Sequence, residues 1–188
     1  MSSAAKIMFV RHAEKPDGVI GGVLGDGSKG KDSLTTTGWQ RAGALVVLFG
    51  YGAPISAPLT QPEVIYAAAP GGASASQRPI ETVSPLAAKL NVPINTTFGA
   101  DDFQAMLNQA LAQAGRTILV CWEHKTLVAG LNATNPLRST TMNAASIPSA
   151  WPGDRFDMVW AFDLQAGRYV FSQVPQLLLS CDIATPIV

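Results

Sequence analysis

The chain has 188 residues, 47% of them hydrophobic and 14% charged, and its 13 basic and 13 acidic side chains cancel to a formal net charge of zero. That length suits one domain with a substantial core, expected to run over residues 1–188. The composition excludes a disordered chain, and the neutrality excludes a broad electrostatic footprint for nucleic acid or an anionic membrane surface. Cys121 and Cys181 are the only cysteines, too few for a disulfide framework and suited to a reducing compartment. No apolar run approaches the roughly 18 residues of a membrane span, and none forms a signal-peptide core. A soluble, cytoplasmic protein is expected.

Ile7 to Val10 is a short apolar run that reads as a buried strand, and it stops at Arg11, His12 and Glu14. Pro16 to Ser33 carries six glycines and reads as a long loop, either functional or mobile. Trp39, Ala42, Leu45, Val46 and Phe49 recur at helical spacing and predict a helix over Thr36 to Phe49. Glycines and prolines break the pattern from Gly50 to Pro62. Glu63 to Ala68 is a second strand, followed by the turn Pro70-Gly71-Gly72. Pro79 fits a first helical turn, and Ile80, Val83, Leu86, Ala87 and Leu90 supply the buried face of that helix.

Val92 to Thr97 is a weaker third strand, and Phe103, Met106, Leu107, Ala110 and Leu111 mark a helix that ends near Gly115. Thr117 to Trp122 repeats the opening design: a buried-strand pattern runs directly into Glu123-His124-Lys125. Leu127 to Leu131 then belongs to a helix. Phe156 to Leu164 and Arg168 to Val174 flank a short turn and predict an antiparallel hairpin. Strands alternating with helices imply an α/β three-layer sandwich, a mostly parallel central sheet with helices on both faces.

In such a sheet ligands bind beyond the carboxyl ends of the strands. Arg11-His12, the segment Ser74 to Thr82 and Glu123-His124 should therefore emerge at one edge. Arg78 would sit at a helix N-terminus, where the helix dipole favours an anion. Two arginines and two histidines suit a dianionic tetrahedral group, since guanidinium forks match phosphate oxygens. A neutral histidine can attack phosphorus, and the second can donate a hydrogen bond to the transferring group.

These residues resemble a known family. Arg11-His12-Ala13-Glu14 is similar to the Arg-His-Gly-Glu signature of the histidine phosphatase (phosphoglycerate mutase-like) superfamily. Leu34 to Ala42 resembles its Leu-Thr-x-x-Gly-x-x-Gln-Ala segment, Ser76 to Thr82 its second-arginine motif, and Leu119 to His124 the strand that carries its second histidine. Asp157 to Leu164 is similar to the family's late strand. Ala13 stands where glycine is usual, and Lys125 where glycine or aspartate is common.

The resemblance implies a phosphoglycerate mutase-like fold and a phosphatase that phosphorylates His12 transiently, with Arg11, Arg78 and His124 completing the phosphate pocket. It implies no metal and no cofactor. The substrate would be a small phosphorylated molecule or a phosphoprotein, and the substrate's identity and the oligomeric state stay open. A leaving alkoxide needs a general acid. Asp102 stands where the family often has a carboxylate. Glu123 competes with it, because partial burial beside His124 would raise its pKa. The third alternative is no protein acid at all.

Other readings compete. Gly25 to Asp32 nearly spells a P-loop, but Asp32 stands where Ser or Thr is needed. His12-Ala13-Glu14 mimics the His-x-Glu of zinc deaminases, yet no Pro-Cys-x-x-Cys partner exists. Asp101 with Gln104 reads as a helix N-cap. Glu14 is expected to orient Arg11 or Arg78 through an ion pair, or to act catalytically. A mutase or phosphotransferase would need a second anion site, for which Lys15, Lys29, Lys31 and Lys125 are the candidates. A non-catalytic phosphate-binding regulatory module is the remaining alternative, although an intact Arg11, His12, Arg78 and His124 argue against it.

Overall fold

The first strand, β1 (Lys6–Arg11), is buried along its whole length, so both faces of its alternating side chains must find a cover. The structure, a computed structural model, describes residues 3–50, 58–71 and 75–188. Ser74, Gly72 and part of the expected break over Gly50 to Pro62 lie outside these residues. The remaining strands are β2 (Val64–Ala67), β3 (Ile94–Asn95), β4 (Thr117–Trp122), β5 (Met158–Gln165) and β6 (Arg168–Pro175). The helices are α1 (Thr36–Phe49), α2 (Arg78–Leu90), α3 (Phe103–Leu111), α4 (His124–Asn132) and α5 (Pro136–Thr140).

The strands form one sheet in the order β3-β2-β4-β1-β5-β6. The first four are mutually parallel, while β5 runs antiparallel to β1 and to β6. Period-two alternation sends Met8 and Val10 to one face, where they pack with Leu45 and Phe49 of α1 and Val83 and Leu86 of α2. Ile7 and Phe9 point to the other face, against Phe103 and Met106 of α3 and Leu127 of α4. The expected three-layer sandwich is the observed architecture. Continuous apolar runs are what a parallel sheet covered on both sides requires.

Three expected boundaries shift. The third strand shrinks to two residues, because Asn95 turns back and its Oδ1 accepts the N–H of Thr97. Phe156 leaves the expected hairpin strand and stacks instead on the Arg11 guanidinium, 3.9 Å from its ring centroid. Asp101 does not cap a helix: a 3₁₀ turn occupies Ala100–Asp102, and Asp102 precedes α3. The β5–β6 hairpin turns through Ala166 and Gly167, both at positive φ (50° and 83°), as the tightest hairpin loop demands. No helix among the described residues is long and apolar enough to cross a membrane.

Parallel pairing brings the strand ends level. Arg11 lies opposite Trp122, and Val64 to Ala67 pair with Ile118 to Cys121. The residues just past β1, β2 and β4 therefore emerge together: His12, Ala68-Ala69 and Glu123-His124.

Candidate active site

These three strand ends and the start of α2 enclose a small cavity of about 120 Å³. Its lining includes His12, Lys15, Arg78, Glu123 and His124. Of the four lysines considered as anchors for a second anion, only Lys15 lines it. The cavity thus brings together three of the four residues expected to hold a phosphoryl group. Arg11 is not in the lining; its guanidinium is buried, close enough to Glu123 of the lining to feel its charge.

His12 extends the sheet by one bond, its N–H donating to the Trp122 carbonyl at 3.1 Å. The ring is buried, and its Nδ1 lies 2.8 Å from the Ala13 carbonyl. Burial, reinforced by the charges of Arg11 and Arg78 and by His124, drives its pKa from 6.5 down to about 3, although the Ala13 contact opposes this. The neutral imidazole must then carry its proton on Nδ1, facing the carbonyl. That leaves the lone pair on Nε2.

Arg11 is 1% exposed. Its Nη1 donates to the carbonyls of Pro152, Gly153 and Arg155 at 3.1, 2.9 and 2.9 Å. Its Nε and Nη2 are buried without a partner. These two atoms form one edge of the guanidinium, the fork that meets an oxyanion bidentately. Native proteins seldom leave such donors orphaned. Burial lowers the Arg11 pKa to about 10, opposed by Glu123, Asp154 and Glu14, so the group stays charged at neutral pH.

Arg78 begins α2, with Pro79 in the first turn as expected. Its Nε donates to the Ser33 carbonyl (3.1 Å) and its Nη2 to the Lys31 carbonyl (2.8 Å). Those carbonyls end the glycine-rich loop, which is itself tied by backbone bonds such as Gly30 N–H to the Gly22 carbonyl (3.0 Å). The loop is therefore a support for Arg78. It lies between β1 and α1, but its P-loop-like stretch, Gly25 to Asp32, starts well past the end of β1 and stops short of the α1 N-cap Thr35, whereas a P-loop joins strand and helix directly. One turn along α2, the Thr82 hydroxyl donates to the Arg78 carbonyl (2.7 Å) and accepts the Ala13 N–H (2.8 Å). A single hydroxyl thus ties the residue after His12 to the residue that carries the second guanidinium.

Glu123 corrects an expectation. Burial acts to raise its pKa, but the His124 contact and the N–H groups of Thr126 and Lys125 outweigh it and hold the carboxyl at about 2. The cause is local. Glu123 is the N-cap of α4, its Oε2 accepting from Lys125 and Thr126 at 2.8 and 2.9 Å. His124 Nδ1 lies 2.8 Å from Oε1, a contact that fixes the orientation of the ring. Asp102 is exposed and absent from the cavity lining, and its carboxylate accepts the Gly99 N–H at 3.1 Å.

Glu14 is the second correction. It pairs with neither Arg11 nor Arg78 but with Arg41, whose Nε and Nη2 donate to Oε1 at 2.9 and 2.7 Å. Arg41 also donates to Asp182 and to Gln176. Sequence reasoning missed Arg41, Thr82, Arg155 and Asp182 as contributors. One signal was present: Arg41 falls on the buried stripe of α1 with Gly38, Ala42 and Leu45, where a charge is tolerated only when paired. Cys121 is wholly buried, and burial pushes its thiol far above the usual range, which fits an inert packing residue.

Neither a protein-family model nor a curated protein sequence matches the chain. Solved structures do. SixA from Agrobacterium tumefaciens superposes with a TM-score of 0.52 at 16% identity, over 90% of this chain and 96% of that one. A mycobacterial glucosyl-3-phosphoglycerate phosphatase, solved with VO3, gives 0.54 at 11% identity, over 90% and 97%. Phosphoserine phosphatase from Entamoeba histolytica, in complex with 3-phosphoglyceric acid, gives 0.51 at 15%, over 89% and 94%. These proteins share the three-layer fold of this chain.

Proposed function

We propose that the protein is a phosphatase that accepts a phosphoryl group on His12 Nε2 and passes it to water. The observation that carries this reading is one small cavity holding a neutral, buried His12 together with Arg78 and His124. The orphaned Nε and Nη2 of Arg11 support it, because a phosphoryl group reaching them would supply the missing acceptors. The phosphatases that share the fold support it too.

In the first step the Nε2 lone pair forms a bond to phosphorus. The bond from phosphorus to the leaving oxygen or nitrogen breaks, and its electrons depart with that atom. In the second step water attacks phosphorus, the N–P electrons return to Nε2, and inorganic phosphate leaves. Arg11 and Arg78 neutralise the charge on the transferring group, the task a metal performs elsewhere. The reading therefore includes catalysis without a metal.

The proton supply limits the substrate. Glu123 is ionised at neutral pH and Asp102 lies outside the cavity, so neither serves as a general acid. The favoured substrates, whether small molecules or phosphoproteins, release a group that needs no proton from the protein: aryl phosphates, and phosphoramidates whose nitrogen is already protonated, before alkyl esters. With Lys15 the only lysine in the cavity, hydrolysis is preferred over mutase chemistry, which must anchor a second anionic group.

The test is a rapid quench under alkaline conditions after mixing with an aryl phosphate in excess EDTA. Label is expected on His12 of the wild type and on nothing in His12→Ala. Turnover in His12→Ala at the wild-type rate would refute the mechanism. Loss of wild-type activity in EDTA, restored by one added metal, would refute metal-free catalysis.

A further inference from the structure

Both ends of the motif Arg11 to Glu14 are held by residues that are themselves held by one distant segment, Gln176–Thr185. At the Glu14 end, Arg41 is the go-between. It is 2% exposed and donates to Glu14 on one side, and to Asp182 Oδ1 (2.7 Å), Asp182 Oδ2 (3.1 Å) and Gln176 Oε1 (3.1 Å) on the other. Asp182 is locked in turn by the N–H groups of Leu178 and Leu179, at 2.7 and 3.2 Å. The Glu14 carbonyl accepts the Thr35 N–H (3.0 Å), which seats the start of α1 against the same motif.

At the Arg11 end the go-between is Arg155. Its carbonyl is one of the three that receive Arg11 Nη1. Its own guanidinium donates to Asp157 Oδ1 (2.7 Å) and to the carbonyls of Thr185 (3.0 Å) and Ile183 (3.3 Å). The Ile183 N–H closes the circuit on Asp157 Oδ2 at 2.6 Å. The loop that aims Arg11 is thus fastened to residues 183–185, one position along from Asp182.

Resting on the phosphatase reading, we propose that Gln176–Thr185 is a positioning strap for catalysis, with Asp182 and Arg155 as its two positioning residues. Neither touches the substrate. Through Arg41 and Glu14 the strap sets the backbone that carries His12 and Ala13; through Arg155 it sets the rotation of the Arg11 guanidinium. The orphaned Nε–Nη2 edge can meet a phosphoryl oxygen only if Nη1 keeps its three carbonyls, so the strap governs how well that edge is aimed. A general packing role would make the protein less stable but would leave each folded molecule as competent as before.

Calorimetry with vanadate separates the two. Its stoichiometry counts folded sites, whereas its Kd reports the geometry of each. Asp182→Asn and Arg155→Lys are expected to bind vanadate about tenfold or more weakly at near-full stoichiometry, since a misplacement of order 1 Å costs up to ~100-fold. Their kcat/KM should fall by the same factor. A reduced stoichiometry with an unchanged Kd would overturn the proposal. Coupling is reciprocal, so the wild type offers a second measurement that no folding defect can obscure. Saturating vanadate should slow amide exchange at Leu178, Leu179 and Ile183, and unchanged exchange there would equally overturn the strap. Failure of the wild type to bind vanadate would instead refute the phosphatase reading, and the strap with it.

Discussion

The buried, neutral state of His12 has a measurable thermodynamic consequence. Its pKa is about 3 in the folded protein against 6.5 in a model side chain. Between those values the unfolded chain binds a proton at His12 and the folded chain does not. Stability must then fall as the solution is acidified, by about 1.36 kcal/mol for each pH unit below 6.5. From pH 7 to pH 4.5 this one residue should account for a loss of about 2–3 kcal/mol. The perturbation is His12→Asn, which removes the titration while its amide can still donate to the Ala13 carbonyl. Urea unfolding of both proteins at pH 7 and 4.5 gives four free energies. The wild type should lose about 2–3 kcal/mol more than the variant across that interval, because every other titrating group contributes alike to both. Equal losses would mean that His12 takes up a proton in the folded state. The nucleophile argument would then fail.

Arg78→Lys should lower kcat by about 100-fold or more despite keeping the charge, because a lysine cannot hold the Ser33 and Lys31 carbonyls while presenting a planar fork. Wild-type activity in steady-state assays of this variant would refute the role of Arg78. Gly38→Ala should destabilise by about 1–3 kcal/mol, although alanine is the better helix former, since the added Cβ would stand 2.6 Å from the Glu14 carbonyl oxygen. A raised Tm would show that the motif backbone yields there. Glu123→Gln and Asp102→Asn should leave the ratio of alkyl to aryl phosphate turnover unchanged, and a selective loss of alkyl turnover in either would identify the missing acid.

Local order along the chain determined the elements and the place of the site. Ile7 to Val10 and Ile118 to Trp122 are apolar runs ending in charge, and this alone puts His12 and His124 at strand ends. The stripe from Trp39 to Phe49 marks a helix whose bounds, Thr36–Phe49, are those observed. Such features are legible because they depend on periods of two and 3.6 within a few residues.

Which charge answers which was decided only by the tertiary structure. Glu14 could have met Arg11, three residues away, but its partner is Arg41, 27 positions on. Asp182 reaches Arg41 across 141 positions and Arg155 meets Thr185 across 30. No periodicity encodes these pairings, because they arise from the order in which strands stack. The insertion of β5 beside β1 brings residues 152–157 onto Arg11. Glu123 marks the boundary between the two. Its position before a helix was visible in the chain, but the direction of its pKa depended on whether burial or the N–H groups of α4 prevailed, and it took the folded helix N-terminus to decide that.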